Sequence, residues 1–448
     1  MVVPKKILNA EMIKLALPLL FSNLAIVLIG VTDTFFAGKL GTVALGAAGI
    51  GVMWYFTLYL LPKGIVGSII AFVSQAYGAN DTARVGRWLG NFLALGLALL
   101  PLGFLFVPAL TILIGASGAE QAVQTLALEY VKVRVFEVPF ALLSVILTGF
   151  LVGINDSKTP MLINWGVVLG NIFLNWVFVF GNLGAPQLGI VGSALGSVIS
   201  VAIGAVIFSF VVWRHHAKKY QLRIVKPSKS EWLEMLRVGA PMGALEMLEV
   251  SAFTVFMALT ARISTEALAA SQVGNQISSL AFMPGFALGS ATASLVGRYI
   301  GARNLETANQ ATFAGVRLGM IWMGVIGIFF WVLAEPLARL FSSDEKVILL
   351  TASLLRFMAF YQLFDAANIV FRSALLGTGD TQFAALVTLL CAWTIMVGGG
   401  YLIVTNGGGL IEIWFAPFVY LALLSVVYWL RWQAGHWRTS SIGAVAQH

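Results

Sequence analysis

The stretch RHHAKKYQLRIVKPSKSE, residues 214 to 231, is the one long polar run in a 448-residue chain that is otherwise apolar almost throughout. On either side of it lie hydrophobic blocks separated by short glycine-rich gaps, and the two sides can be laid over each other. LALPLL around Pro18 matches VGAPMG around Pro241, and TVALGAAGIG from Thr42 matches TEALAASQVG from Thr265. Pro62, Gly67, Ser68 and Gly78-Ala79 match Pro284, Gly289, Ser290 and Gly301-Ala302, and LVGINDSKT from Leu151 matches LLGTGDTQF from Leu375. The order is preserved throughout, so the polar run joins two copies of one sequence pattern.

Composition sets the solvent. The chain is 59% hydrophobic and only 10% charged, with a mean hydropathy of +0.91, whereas a soluble domain carries about a quarter charged residues. Such a surface must be solvated by lipid. The net charge of +8 does not point to nucleic acid, because the basic residues gather in loops between apolar spans and are read first as orientation signals. The single cysteine, Cys391, excludes an intramolecular disulfide or a cysteine metal cluster. Lys5 and Lys6 precede an apolar run from Met12 to Phe36, which is longer than the apolar core of a signal peptide and reads as a first spanning helix.

A spanning helix needs about 20 apolar residues. On that measure the sequence predicts twelve spans, near 12–36, 46–77, 88–114, 122–150, 159–181 and 189–213, then 233–261, 267–297, 312–340, 347–376, 382–404 and 410–432. The expected fold is therefore an all-α polytopic membrane protein with an N-lobe (1–213), a basic cytoplasmic linker (214–231), a C-lobe (232–432) and a cytoplasmic tail (433–448). Lys5, Lys6, Arg84, Arg87, Lys158, the linker cations Arg214, Lys218, Lys219, Arg223, Lys226 and Lys229, then Arg298, Arg303, Arg431 and Arg438 all fall in alternate connections. The opposite connections hold chiefly Lys39, Arg262, Arg339 and Lys346. This asymmetry predicts both termini on the cytoplasmic side of an inner membrane. With six spans in each half, both copies enter the membrane in the same sense, as parallel repeats, an arrangement that suits alternating access around a central cleft.

Charged residues deep in spans carry the functional signal, because each costs about 2.5–3.5 kcal/mol or more at the bilayer centre. Asp33 lies in GVTDTFFAG, Glu246 and Glu249 in LEMLEVS, and Asp365 in YQLFDAAN. Glu246 and Glu249 are three apart and share a helix face. Facing one cavity, they would hold a proton between them; meeting Asp365 and neutral oxygens, one of them would form a hard-cation site. Asp33 has a plainer reading as a hydrogen-bond acceptor for a helix turn loosened by Pro18, and Glu246 as a carboxylate at a helix interface. Asn171 and Asn175 in GNIFLNW place two amides on one face, either as helix glue or as part of a site. Lys63 after Pro62 pairs with an acid or with carbonyls the proline frees. Glu129, Lys132, Arg134, Glu137 and Arg356 are expected in salt bridges within their lobes. The glycines of GAAGIG lack a preceding strand and a phosphate-binding lysine, so helix packing explains them better. No catalytic constellation or cofactor motif is apparent, so the chain does not read as an enzyme.

These segments together resemble the multidrug and toxic compound extrusion (MATE) family, and within it the NorM-type branch. The resemblance is carried by GVTDTFFAG at Asp33, SQAYGAN at residues 74–80, GNIFLN at Asn171 and Asn175, LEVS at Glu249, YQLFDA at Tyr361 and Asp365, and LLGTGDT. It implies two six-helix lobes and cation-coupled export of small organic, often cationic or amphipathic, compounds by a monomer. Asp33 would be the N-lobe acid for H+ or Na+ exchange with Asn171 nearby, and Glu249, Asp365 and Tyr361 would form a C-lobe site able to take Na+. Asn175 stands where archaeal members often carry an aspartate, which favours the NorM-type branch. Lys63 and Glu246 lie outside that pattern. The main alternative is a flippase for lipid-linked oligosaccharides, for which a more cationic cleft is expected.

Overall fold

The computed structural model describes residues 3–222, 226–438 and 442. Arg223 of the basic linker, residues 439–441 and 443–448 of the expected tail, and the side chain of Leu280 lie outside the described residues. Among those described there is no strand. The chain forms α1 (Lys5–Lys39), α2 (Thr42–Gly78), α3 (Thr82–Gly115), α4 (Gln121–Gly153), α5 (Lys158–Phe180), α6 (Gly189–His216), α7 (Lys229–Thr260), α8 (Thr265–Gly301), α9 (Leu305–Val332), α10 (Glu345–Thr378), α11 (Thr381–Thr405) and α12 (Leu410–Gln433). Eleven of these are long and apolar enough to cross a bilayer, and α8, which bends by 44° between Thr265–Ser279 and Ala281–Gly301, makes the twelfth when its arms are counted as one span. This is a multi-pass membrane protein. Helices dominate because hydrocarbon offers backbone N–H and C=O groups no partner, and a helix satisfies them within one segment. Side chains such as Leu97, Phe104 and Ile112 on α3, exposed by 66%, 64% and 71%, have no reason to face water and mark lipid-facing surface.

The repeat is also written in the backbone. Asn80 and Arg303 both adopt positive φ, at 57° and 54°, and each is followed by the residue that caps the next helix. Asp81 accepts from Arg84 N at 2.9 Å, and Asn304 from Thr307 N at 3.2 Å. Later, Asn155 (φ 67°) occupies the place of Gly379 (φ 89°). Asparagine and glycine are the residues that adopt this left-handed conformation at lowest cost.

Two compact units emerge, Met1–Leu20 with Ala244–Ile442, and Phe21–Gly243. Their boundaries differ from the lobes expected at 1–213 and 232–432. Each falls inside the first helix of its repeat, two residues beyond the matched prolines Pro18 and Pro241. The physical reason is length: α1 and α7 run for 35 and 32 residues, well past the need of one crossing, and each contains a proline that removes a helical hydrogen bond. The first part of α1 is tied to its own unit by polar contacts. Glu11 accepts from Arg298 at 2.5 Å and from Tyr299 at 2.8 Å, and Asn9 accepts from Arg317 at 2.7 Å. The first part of α7 is held to α3 by Arg87, which donates twice to Glu231 at 2.5 and 3.1 Å. It crosses α2 at Gly64 and Gly243, where a Cβ on Gly64 would stand 2.6 Å from the Gly243 Cα.

Within Phe21–Gly243, α5 packs on α6 and α4 packs on α2, α3 and α6. Within the other unit α8, α9 and α10 pack on one another, and α12 packs on α10 and α11. Three local features depart from uniform spans. The block expected at 312–340 ends at Val332 and is followed by a separate short helix, Ala334–Arg339. A π-helical segment, Ala392–Gly399, widens α11. A single 3₁₀ turn, Val135–Glu137, interrupts α4, because Pro139 has no N–H to offer the Val135 carbonyl.

Candidate functional site

That 3₁₀ turn shapes the first of two buried polar clusters. In 3₁₀ geometry residues three apart eclipse, and Arg134 Nε stands 2.9 Å from Glu137 Oε2. The other side of the guanidinium reaches α1, where Arg134 Nη1 donates to Asp33 Oδ2 at 3.1 Å. Asp33 is only 3% exposed and accepts from neutral donors as well. Asn175 Nδ2 donates to its Oδ1 at 2.8 Å and Asn171 Nδ2 at 3.4 Å, both from α5. From α6, Ser193 donates at 3.3 Å, and Ser197 lies 2.9 and 3.1 Å from the two carboxylate oxygens. The Tyr55 ring lies under the Arg134 guanidinium at 5.8 Å. The hydroxyls of Tyr55 and Tyr130 are buried with no hydrogen-bond partner among the described residues.

The cluster thus holds two carboxylates, one guanidinium and a set of amides and hydroxyls aimed at Asp33. A buried carboxylate is tolerated only with such partners, and here the carboxylates outnumber the guanidinium by one. Asn171 stands beside Asp33 as the family resemblance implies, and Asn175, on the same face of α5, donates to the same oxygen. The expected pairing within the lobe of Arg134 with Glu137 also occurs, but the same arginine serves Asp33, and Ser193 and Ser197 complete the shell.

Packing holds Asn175 in place. A Cβ on Gly196 of α6 would stand 2.5 Å from Asn175 Oδ1 and 3.2 Å from its backbone N. Gly196→Ala is therefore expected to push the Asn175 amide off Asp33 and destabilise the fold by about 1–3 kcal/mol. Adding Asn175→Ala removes the 2.5 Å clash but also a hydrogen bond to Asp33, and leaves the backbone contact at 3.2 Å, so it should recover only part of the melting temperature and none of the transport. Equal melting temperatures for Gly196→Ala and the parent in a detergent melt would show that the contact is soft.

The second cluster belongs to the other unit. On α10, Tyr361, Asp365, Asn368 and Arg372 are spaced by four, three and four residues and so form one stripe. Tyr361 and Asp365 are buried, at 3% and 6% exposure. Arg372 Nη1 donates to Glu249 Oε2 of α7 at 2.8 Å, and Tyr420 of α12 donates its hydroxyl to Glu249 Oε1 at 2.8 Å. Asp365, two turns before Arg372 on this stripe, is close enough to feel the charges of Arg372 and Glu249. Glu246 sits one turn before Glu249 and is half-buried. The structure thus brings Glu249 to an arginine and a tyrosine that sequence reasoning missed. Arg372 was detectable as a charge in the apolar stretch NIVFRSALL, since a charge at that depth requires a partner. Tyr420 carried no such signal.

The MatE family model matches residues 18–177 and again 241–402. The chain belongs to the MatE family. A probable multidrug resistance protein NorM from Thermotoga maritima is 28% identical over 444 residues, covering 97% of this chain and 94% of that protein. One from Aromatoleum aromaticum is 30% identical over 430 residues, with 93% and 92% covered. The multidrug resistance protein NorM of Vibrio cholerae is 28% identical over 404 residues, with 88% and 87% covered. Among solved structures, an outward-facing multidrug resistance MATE family transporter of the MOP superfamily superposes with a TM-score of 0.87 at 21% identity, over 95% of both chains. A MOP superfamily transporter from Pyrococcus furiosus, described by a reversed polarity of its binding pocket, gives 0.85 at 20%, again over 95% of both. The MatE match falls once on each half of the internal repeat, and the relatives are named as resistance proteins rather than as enzymes.

Proposed function

We propose that this MatE protein is an antiporter of an inner membrane, with both termini cytoplasmic, that exports small organic cationic or amphipathic compounds in exchange for an inward-moving cation, H+ or Na+. The observation that carries the reading is the excess of carboxylate over guanidinium in each unit, with Asp33 and Glu137 around Arg134, and Glu249 and Asp365 around Arg372. Such charges are kept inside a membrane protein only where they are paired or used. With two carboxylates to one guanidinium, each cluster has an acidic group that can receive an organic cation and a coupling cation in turn.

Coupling in this scheme is competition. A cation that lowers the affinity for drug at a shared carboxylate must have its own affinity lowered by the same factor when drug is bound. Release of drug on one side and of the coupling ion on the other then requires that the protein alternate between two states with different exposure of these groups. The prolines Pro18 and Pro241, at the boundaries of the two units, are natural places for that change. Each net elementary charge moved inward supplies about 2.3 kcal/mol per 100 mV, equivalent to roughly a fiftyfold gradient of an uncharged drug, whereas a one-for-one exchange of monovalent cations moves no net charge and draws on the concentration gradient of the coupling ion alone.

The reading is tested in everted membrane vesicles from cells producing the protein. They should accumulate a fluorescent organic cation once a cation gradient is established, and lose it when an ionophore dissipates that gradient. Accumulation that persists without any cation gradient would contradict coupling.

A further inference from the structure

A Na+ site at Glu249 needs free oxygen lone pairs, because a hard cation is held by several oxygens in direct contact. Glu249 keeps a spare lone pair on each oxygen, but both oxygens are already held by protein donors. Its Oε2 accepts from Arg372 Nη1 at 2.8 Å and its Oε1 from the Tyr420 hydroxyl at 2.8 Å. A metal ion beside this carboxylate would also stand against a guanidinium, which stays charged at any pH the protein meets. The pair is nevertheless within reach of a ligand, with side chains 14% and 27% exposed for Arg372 and Glu249.

We propose that Arg372 is a tethered cation that occupies Glu249 in place of a diffusible metal ion, so that a cationic ligand gains this carboxylate only by displacing the guanidinium. Arg372 is then the residue that sets cation specificity in this unit, excluding Na+ while leaving Glu249 open to a ligand bulky enough to move the arginine aside. The inference rests on the reading of Glu249 as part of a cation-responsive site. The other unit shows the same device, with the Arg134 guanidinium set between Asp33 and Glu137.

The test is Na+ binding by the purified full-length protein, read as thermal unfolding followed by tryptophan fluorescence while NaCl replaces KCl at constant ionic strength. The unmodified protein should show no Na+-specific shift. Arg372→Met removes a like charge at contact distance and should bind Na+ about a hundredfold more tightly than the parent, a gain that Glu249→Gln in the same background abolishes. Arg372→Gln keeps one donor towards Glu249 while removing the charge, and it carries the test if the methionine variant does not fold. Na+-specific stabilisation of the unmodified protein that is lost in Glu249→Gln would overturn the proposal, as would a folded Arg372→Met or Arg372→Gln as indifferent to Na+ as the parent. Failure of the functional reading looks different: Glu249→Gln would leave drug efflux unchanged while the Arg372 variants still gain Na+ binding.

Discussion

Asp33→Asn is expected to abolish gradient-driven efflux while leaving the protein folded and inserted in the membrane. The substitution keeps the shape of the side chain and removes only its charge. Asn171, Asn175, Ser193, Ser197 and Arg134 all aim hydrogens at the carboxylate, and an amide can accept at only one of its two ends. Hydrogen bonds to a charged group are worth about 1.5–3 kcal/mol each, so losing even one from a step of the cycle lowers transport by about tenfold or more. The fold survives because Arg134 keeps Glu137 at 2.9 Å. Efflux per unit of protein, measured beside a detergent melt, checks both halves of the expectation. Efflux at the parent rate would remove Asp33 from the mechanism.

The largest loss of stability is expected from Arg134→Met. It leaves Asp33 and Glu137, 3% and 8% exposed, facing each other without a counter-charge. Removing one partner of a buried ion pair costs about 3–5 kcal/mol, and here one guanidinium serves two acids. Lysine should be a poor substitute, since a compact ammonium cannot reach two carboxylates in the planar geometry of a guanidinium. Combining Arg134→Met with Glu137→Gln should restore part of the loss, and the double-mutant cycle measures how far the two residues act together. An Arg134→Met protein melting with the parent would mean that the arginine is solvated rather than paired.

The two expectations bear on what a sequence of this kind can reveal. The spans, the repeat and the family were legible because each rests on a local pattern. Blocks of some 20 apolar residues announce crossings, and paired signals such as Pro18 with Pro241, or Gly78-Ala79 with Gly301-Ala302, recur at fixed intervals. The buried acids were legible too, because a carboxylate in an apolar run stands out. What the local pattern does not contain is which side chain from a distant helix meets each acid. Arg134 lies 101 residues from Asp33, Arg372 lies 123 from Glu249, and Tyr420 lies 171 from Glu249. Read alone, the acids look like open cation sites. With their arginines in place they become nearly balanced clusters, and the question shifts from which ion they coordinate to what displaces the guanidinium. The 3₁₀ turn that brings Arg134 and Glu137 together was signalled only by Pro139, and the division of α1 and α7 between units only by their excess length.

Cation-coupled export is tested most directly with the purified protein in liposomes loaded with a fluorescent organic cation. A Na+ gradient is imposed at fixed pH, and separately a pH gradient without Na+, with the Asp33→Asn protein as the control. At least one gradient should drive the dye against its own concentration difference, and the Asp33→Asn protein should not respond to it. Dye movement that ignores both gradients would rule out cation coupling, and movement that is the same in Asp33→Asn would remove Asp33 from it.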